Sequence, residues 1–136
     1  MIVGAGFAGL SLATTFVMDG VKDVAVLEKS TAVGGVWSQR SRSSSALRYQ
    51  EEVRADVVDV VKAHRLEQQI YLEAEVGAVV AQQGDQRGWA LSGRSQAQTA
   101  FQTDSKLLCV SSQLLASPFS APFMGEELFA GDVRLG

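Results

Sequence analysis

The chain has 136 residues, enough for one domain, and 46% of them are hydrophobic, enough to build a core. Its formal net charge is −3, from 12 Lys and Arg against 15 Asp and Glu. This balance gives no electrostatic reason to expect nucleic acid or an anionic membrane as a partner.

The single cysteine and the single histidine limit the chemistry further. Cys109 cannot form an internal disulfide, and its apolar surroundings favour a buried, inert thiol. His64 alone cannot build a multi-histidine metal site, so we predict no metal. No apolar run reaches the length of a membrane span and no signal peptide is evident, so we expect a cytoplasmic protein.

The first predicted elements form a strand, a glycine turn and a helix. Residues 1–3 are apolar and strand-like, and residues 4–9 form a G-x-G-x-x-G run that leads into a helical pattern. A second apolar stretch at residues 24–27 ends at Glu28, close to the spacing of an acid that accepts hydrogen bonds from a ribose. This order is typical of a dinucleotide-binding βαβ unit.

Each position in this unit has a chemical reason. Gly4 permits a sharp turn, Gly6 lets a pyrophosphate approach the backbone, and Gly9 lets the helix pack closely on the sheet. The helix start favours an anion. Glu28 would repel a 2′-phosphate, so the site should not prefer NADP. The alternative is a tight glycine turn that binds no ligand.

A loop and a second helix follow. We expect a loop over residues 30–50, which is rich in Ser and contains Arg40 and Arg42. Residues 51–66 have helical periodicity, with His64 flanking the end of the helix. The predicted inward face of this helix carries Val53, Val57, Val60, Val61 and His64.

Short β signals fill the middle of the chain. They lie at residues 70–72, 76–81, 89–91 and 99–103, with turns at Gly84-Asp85 and near Gly93. Residues 107–110 are continuously apolar, as in a strand covered on both faces. We predict an α/β fold: a Rossmann-like domain over residues 1–136, whose parallel sheet with helices receives a small antiparallel meander.

The glycine pair at residues 34–35 narrows the predicted ligand from any dinucleotide to a flavin nucleotide. Together with residues 4–9 and 28–30, the run Gly34-Gly35-Val36-Trp37 resembles the FAD-binding start of flavin-containing and Baeyer–Villiger monooxygenases. Residues 51–70, 88–91 and 107–112 resemble later elements of that family. Pro118, Pro122 and Gly125 resemble its Pro-x-x-Pro-x-x-Gly loop, and Phe129 to Gly131 resembles the opening of its Phe-x-Gly-x-x-x-His fingerprint.

The resemblance implies FAD as cofactor and a small-molecule substrate. In that family NADPH reduces the flavin, and a flavin hydroperoxide transfers oxygen to a heteroatom or ketone. Catalytic side chains remain unknown, because the cofactor performs the chemistry. The residues expected to bind cofactor are Gly4, Gly6, Phe7, Ala8, Gly9, Glu28, Lys29, Gly35, Val36 and Trp37.

The chain also departs from the family pattern. Leu135 stands at the fingerprint histidine, Ser112 stands near a motif glycine, and the loop near residues 38–50 is shortened. The sequence holds no second G-x-G-x-x-G run, so the NADPH site implied by the family is not expected within it. We therefore expect an incomplete FAD domain, with two alternatives: a non-catalytic flavin-binding fragment, or another FAD-dependent reductase or oxidase.

Overall fold

The computed structural model describes residues 1–38, 44–84, 87–111 and 131. Within these ranges, no helix is both long enough and apolar enough to cross a membrane. The elements in chain order are β1 (Ile2–Val3), α1 (Phe7–Met18), β2 (Val26–Leu27), a 3-10 helix (Gly35–Ser38), α2 (Ser44–Ala63), a second 3-10 helix (Leu66–Gln68), β3 (Ile70–Tyr71), β4 (Glu75–Gln82), β5 (Gly88–Arg94), β6 (Ala100–Ser105) and β7 (Cys109–Val110).

Four short strands form a parallel sheet in the order β3-β2-β1-β7. The chain first adds β2 and β3 on one side of β1 and later places β7 on the other side. In open parallel sheets, ligands bind outside the carboxyl ends of the strands, at the point where the strand order reverses. That point lies between β1 and β7, where the glycine run follows β1.

The hydrophobic core lies against this sheet. Ile2 of β1 and Val26 of β2 are fully buried, and α1 and α2 each contribute residues from one face. Helical spacing places those side chains on the inward side of each helix. The buried cluster consists of Ile2, Ala5, Leu10, Ala13, Val24, Val26, Val57, Val61 and Leu66.

The antiparallel meander is present as predicted. Strands β4, β5 and β6 pair in sequence between β3 and β7. Among the described residues of this sheet, Leu91 is the one fully buried hydrophobic side chain. The α/β prediction, a Rossmann-like parallel sheet with an inserted meander, is therefore confirmed.

Two local predictions about helix α2 are wrong. The helix begins at Ser44, so residues 44–50 are helical rather than part of a loop. Gln50 Nε2 donates a hydrogen bond to the Trp37 carbonyl at 3.1 Å, and such tertiary contacts outweigh the weak helix preference of a Ser-rich sequence. The helical spacing predicts that Val60 faces inward, yet its side chain is 40% exposed. Among the described side chains of this helix, those that are buried are Val57 and Val61.

One prediction about the strands is confirmed with a small shift, and another is wrong. The turn predicted near Gly93 lies over residues 95–99, where Ser95 N–H donates to the Thr99 carbonyl, and Gly93 itself lies inside β5. The apolar run before residue 111 is not covered on both faces, since Leu107 and Val110 are 57% and 62% exposed. In the described sheet β7 is an edge strand, and an edge strand is not enclosed as an interior strand is.

Several predictions fall outside the described residues. They concern the basic spot in the loop, the turn residue after Gly84, the Pro-x-x-Pro-x-x-Gly loop and the fingerprint region. The residues involved are Arg40, Arg42, Asp85, Ser112, Pro118, Pro122, Gly125, Phe129 and Leu135.

Candidate nucleotide-binding site

The turn between β1 and α1 leaves hydrogen-bond donors without acceptors. Gly4 has φ +101°, a conformation that side chains disfavour, and it turns the chain off β1. Gly6 precedes the helix, and the first helical bond runs from Leu10 N–H to the Gly6 carbonyl at 3.0 Å. In the described part of the chain, no acceptor faces the amides of Phe7 and Ala8, and no acidic side chain lies in the first turn. Such a helix start suits an external anion.

Gly9 is required by packing inside the protein. A methyl group on Gly9 would overlap the Gly4 carbonyl oxygen and lie 2.6 Å from Ser111 Oγ. The first turn of α1 therefore rests directly on the ends of β1 and β7. This close approach is possible only without a side chain.

Gly6 is open by comparison. Its backbone is extended, with φ −74°, which any residue can adopt. The nearest atom to a methyl group at this position would be Gly35 Cα, at an ordinary contact distance of 3.9 Å. Neither the local conformation nor the packing of the described residues requires glycine here. The missing side chain leaves free space beside the unpaired amides of the helix start.

Glu28 accepts hydrogen bonds from two backbone amides, one of which, Ala5 N–H, belongs to the turn. Its side chain is 6% exposed and lies at the carboxyl end of β2. Oε2 accepts a hydrogen bond from Ala5 N–H at 2.7 Å, and Oε1 accepts one from Ser30 N–H at 2.8 Å. A carboxylate has about four acceptor positions, so these two contacts leave two of them unused. The structure thus brings Glu28 and the glycine turn together.

The Gly34-Gly35 pair also packs on this turn. Gly34 N–H donates to the Ala5 carbonyl at 2.8 Å, and a methyl group on Gly35 (φ +59°) would lie 3.1 Å from Gly6 Cα. The sequence interpretation assigned this pair to a second part of a long ligand. The structure shows a reason within the protein itself, which is the close backbone approach to Gly6.

The remaining predicted residues surround the turn with different exposure. Phe7 is 70% exposed and Val36 is 40% exposed, while Trp37 is half-buried. Lys29 is also exposed. Glu28, Gly34 and Gly35 thus contact the turn directly.

Ser111 is a neighbour of the site that the sequence interpretation did not single out. Its hydroxyl lies 3.2 Å from the Val3 carbonyl and 3.1 Å from the Gly4 carbonyl, and it donates to these oxygens. Its backbone N–H also donates to Val3, at 2.9 Å. The sequence does contain an indication of this position. Ser111 directly follows a predicted strand, and the carboxyl ends of parallel strands share one edge of the sheet.

Comparison with known proteins supports this geometry. Residues 2–59 match the model of the NAD(P)-binding Rossmann-like domain. No curated protein matches the chain.

Three solved structures illustrate the shared fold. A steroid monooxygenase bound to NADP has a TM-score of 0.66 and 23% identity over 96% of this chain and 29% of its own. OTEMO in an FAD-bound form has a TM-score of 0.67 and 20% identity over 89% of this chain and 25% of its own. The bacillithiol disulfide reductase Bdr from Bacillus cereus has a TM-score of 0.61 and 18% identity over 80% of this chain and 37% of its own.

This chain thus spans between 25% and 37% of the length of those three structures. At these identities the likeness concerns the fold. At that level it confirms the resemblance drawn from the glycine run, Glu28 and residues 34–37. The chain has the Rossmann-like fold of NAD(P)-binding domains, in the form shared with flavin-dependent monooxygenases.

Proposed function

We propose that the turn between β1 and α1 binds the diphosphate of FAD. One observation carries this proposal: Gly6 is a glycine that the protein's own conformation and packing do not require, and it lies beside unpaired helix-start amides. Phe7 and Ala8 would donate their backbone amides to the phosphate oxygens. A glycine at position 6 then serves the ligand, because a methyl group would fill the space that the diphosphate needs.

Glu28 would hold the adenosine ribose. Its carboxylate is buried next to the turn and retains acceptor positions beyond its two backbone contacts. A negative charge there disfavours a 2′-phosphate, so FAD or NAD is expected in preference to NADP. Lys29 would flank the adenine from the solvent side.

FAD is preferred to NAD because of residues 34–37. This segment resembles the FAD-binding start of the flavin-containing monooxygenases. In the structure Gly35 packs against Gly6, and the Val36 side chain is exposed. Gly35, Val36 and Trp37 are the residues proposed to lie along the ligand. OTEMO, which shares this fold and was solved in an FAD-bound form, supports the same choice.

The bound flavin would supply redox chemistry, and the chain would bind and orient it. We propose that the parent activity is an NADPH-dependent oxygen transfer to a small-molecule heteroatom or ketone, in the cytoplasm. The monooxygenase among the structures with this fold supports that reading.

A flavin-dependent reductase is the second candidate function. It is favoured by one observation, the shared fold of the Bacillus cereus disulfide reductase. A third alternative is a flavin-binding module without catalysis. Because no NADPH site is expected within this chain, dithionite replaces NADPH as the reductant of the FAD-loaded chain. Oxygenated product on addition of air and substrate, reduction of an acceptor without oxygenation, and neither reaction are the respective outcomes for the three candidates.

The binding claim is tested with two glycine variants. Gly6→Ala should fold normally and weaken FAD binding about tenfold or more, ~1.4 kcal/mol, because its methyl group obstructs the phosphate. The matched control is Gly77→Ala in β4, where a methyl group also meets nothing closer than 3.9 Å. Binding is followed by quenching of flavin fluorescence. A wild-type chain that ignores FAD, or a Gly6→Ala variant with unchanged affinity, would contradict the proposal.

A further inference from the structure

We propose that Glu28 is a positioning residue for the phosphate-binding turn, in addition to its expected contact with the ribose. This inference rests on the proposed function and deepens it. Glu28 would contribute to the affinity for the diphosphate indirectly, by orienting the turn, without a contact between its carboxylate and the phosphates. The assignment comes from the hydrogen bonds on both sides of Ala5.

Ala5 is held at both of its backbone polar groups. Its N–H donates to Glu28 Oε2 at 2.7 Å, and its carbonyl accepts from Gly34 N–H at 2.8 Å. The residue is fully buried, one position before Gly6 and two before Phe7. We call this arrangement the Ala5 clamp: Ala5, the Glu28 carboxylate and the Gly34 amide.

Peptide planarity carries the effect of the clamp into the site. The Ala5 carbonyl and the Gly6 N–H belong to one rigid peptide plane, so fixing the first also fixes the direction of the second. The Ala5 N–H shares its plane with the Gly4 carbonyl in the same way. The turn is therefore oriented before any ligand arrives, and less freedom remains to be lost on binding.

Glu28 is suited to this role because its contact is charge-assisted. Hydrogen bonds from a backbone amide to a carboxylate are roughly twice as strong as neutral ones. In Glu28→Gln, the side-chain NH₂ must face one of the two N–H donors, Ala5 or Ser30, so one contact is lost. Loss of the negative charge alone would favour an anionic ligand. If this variant binds the diphosphate more weakly, the cause is therefore the lost hydrogen bond and not the lost charge.

Two ligands separate positioning from ribose binding. ADP carries the ribose hydroxyls, whereas 2′,3′-dideoxy-ADP lacks them and keeps the diphosphate. Their dissociation constants are measured by calorimetry for wild type, Glu28→Gln and the control Glu67→Gln, an equal charge change at an exposed site. The clamp predicts that Glu28→Gln weakens the binding of dideoxy-ADP about fivefold or more, while Glu67→Gln leaves it unchanged.

The outcomes are distinct. If Glu28→Gln weakens ADP but leaves dideoxy-ADP unchanged or tighter, Glu28 acts on the ribose alone and the clamp is contradicted. If the folded wild type binds neither ADP nor FAD, the proposed function itself fails, and the clamp fails with it.

Amide hydrogen exchange in the wild-type chain tests the Ala5 clamp even if Glu28→Gln does not fold. In the nucleotide-free wild-type chain, the Ala5 amide should exchange at least tenfold more slowly than the amides of Phe7 and Ala8. Equal exchange rates at the three positions would show that the turn is not held, and would overturn the proposal.

Discussion

The carboxyl end of the parallel sheet and the antiparallel meander both contain glycines that packing requires, but only the first has an open glycine beside unpaired amides in the described part of the chain. In the meander, a methyl group on Gly93 would overlap the Glu75 carbonyl oxygen, and one on Gly88 would lie 2.7 Å from the Ser105 carbonyl oxygen. Gly9 at the start of α1 is a packing glycine of the same kind. Gly6, three residues earlier, meets nothing closer than 3.9 Å. Within one motif, therefore, one glycine serves the fold and another leaves space.

Open space alone does not make a ligand site. Gly77 in the meander is as open as Gly6, yet it lies in a strand. Gly6 adjoins unpaired amides at the start of a twelve-residue helix and the buried carboxylate of Glu28. The comparison shows that Gly6 differs from Gly77 in its unpaired neighbouring donors, and helix-start donors of this kind favour an anion.

The two sheets also differ in how they are stabilised. Nine buried residues form the cluster around the parallel sheet, whereas the described meander contributes Leu91 as its fully buried hydrophobic side chain. Packing changes near the parallel sheet should therefore affect the whole fold, and those in the meander should stay local.

Gly9→Ala should give the largest loss of stability. Its methyl group would overlap backbone at the end of β1, and overpacking against backbone costs about 3 kcal/mol. The better helix propensity of alanine, up to about 1 kcal/mol, offsets only part of this cost. Urea unfolding measures the change. Gly6→Ala is the control from the same motif, expected within about 0.5 kcal/mol of wild type. Equal stability of the two variants would break the distinction between packing and open glycines.

Gly93→Ala should have an intermediate and local effect. The new methyl group would meet the Glu75 carbonyl and the end of the Phe101 ring, opposite a register shift between Val76 and Ala78 where the strand can relax. We expect a loss of about 2 kcal/mol. Affinity for ADP should remain within about twofold of wild type, because the meander does not form the site. A large loss of affinity with intact folding would show that the two regions are coupled.

Ser111→Ala should have the smallest effect. It removes a hydroxyl that donates to the Val3 and Gly4 carbonyls, while the backbone bond from Ser111 N–H to Val3 persists. A neutral hydrogen bond contributes about 1 kcal/mol, which is the loss expected in thermal unfolding. A loss above about 3 kcal/mol would mean that Ser111, rather than Glu28, is the main support of the turn.

Sequence patterns predicted the first strand, helix and second strand better than their surroundings. The order of strand, glycine run, helix and acid was readable, because turn chemistry and helical spacing are local properties. The Ser-rich start of α2 was not, since Ser competes for backbone hydrogen bonds locally and the helix there depends on tertiary contacts. The exposure of Val110 was also hidden, because an apolar run does not reveal whether its strand lies at an edge.

The candidate site was predicted by residue type rather than by role. Spacing placed Glu28 near the turn, but its bonds to Ala5 and Ser30 depend on side-chain direction, which spacing does not specify. The glycine pair at 34–35 was assigned to a ligand, and only the structure shows its approach to Gly6. Ser111 lies next to the turn because β7 pairs with β1, and the order of the strands is a property of the whole sheet.

The most direct test of the central claim is an ADP titration followed by the backbone amide signals in NMR. The account predicts that the amides of Phe7 and Ala8 shift progressively with ADP, while those of Ser92 and Gly93 in the meander stay in place. Shifts confined to other parts of the chain, with Phe7 and Ala8 unaffected at saturating ADP, would contradict the assignment of this turn as the diphosphate site.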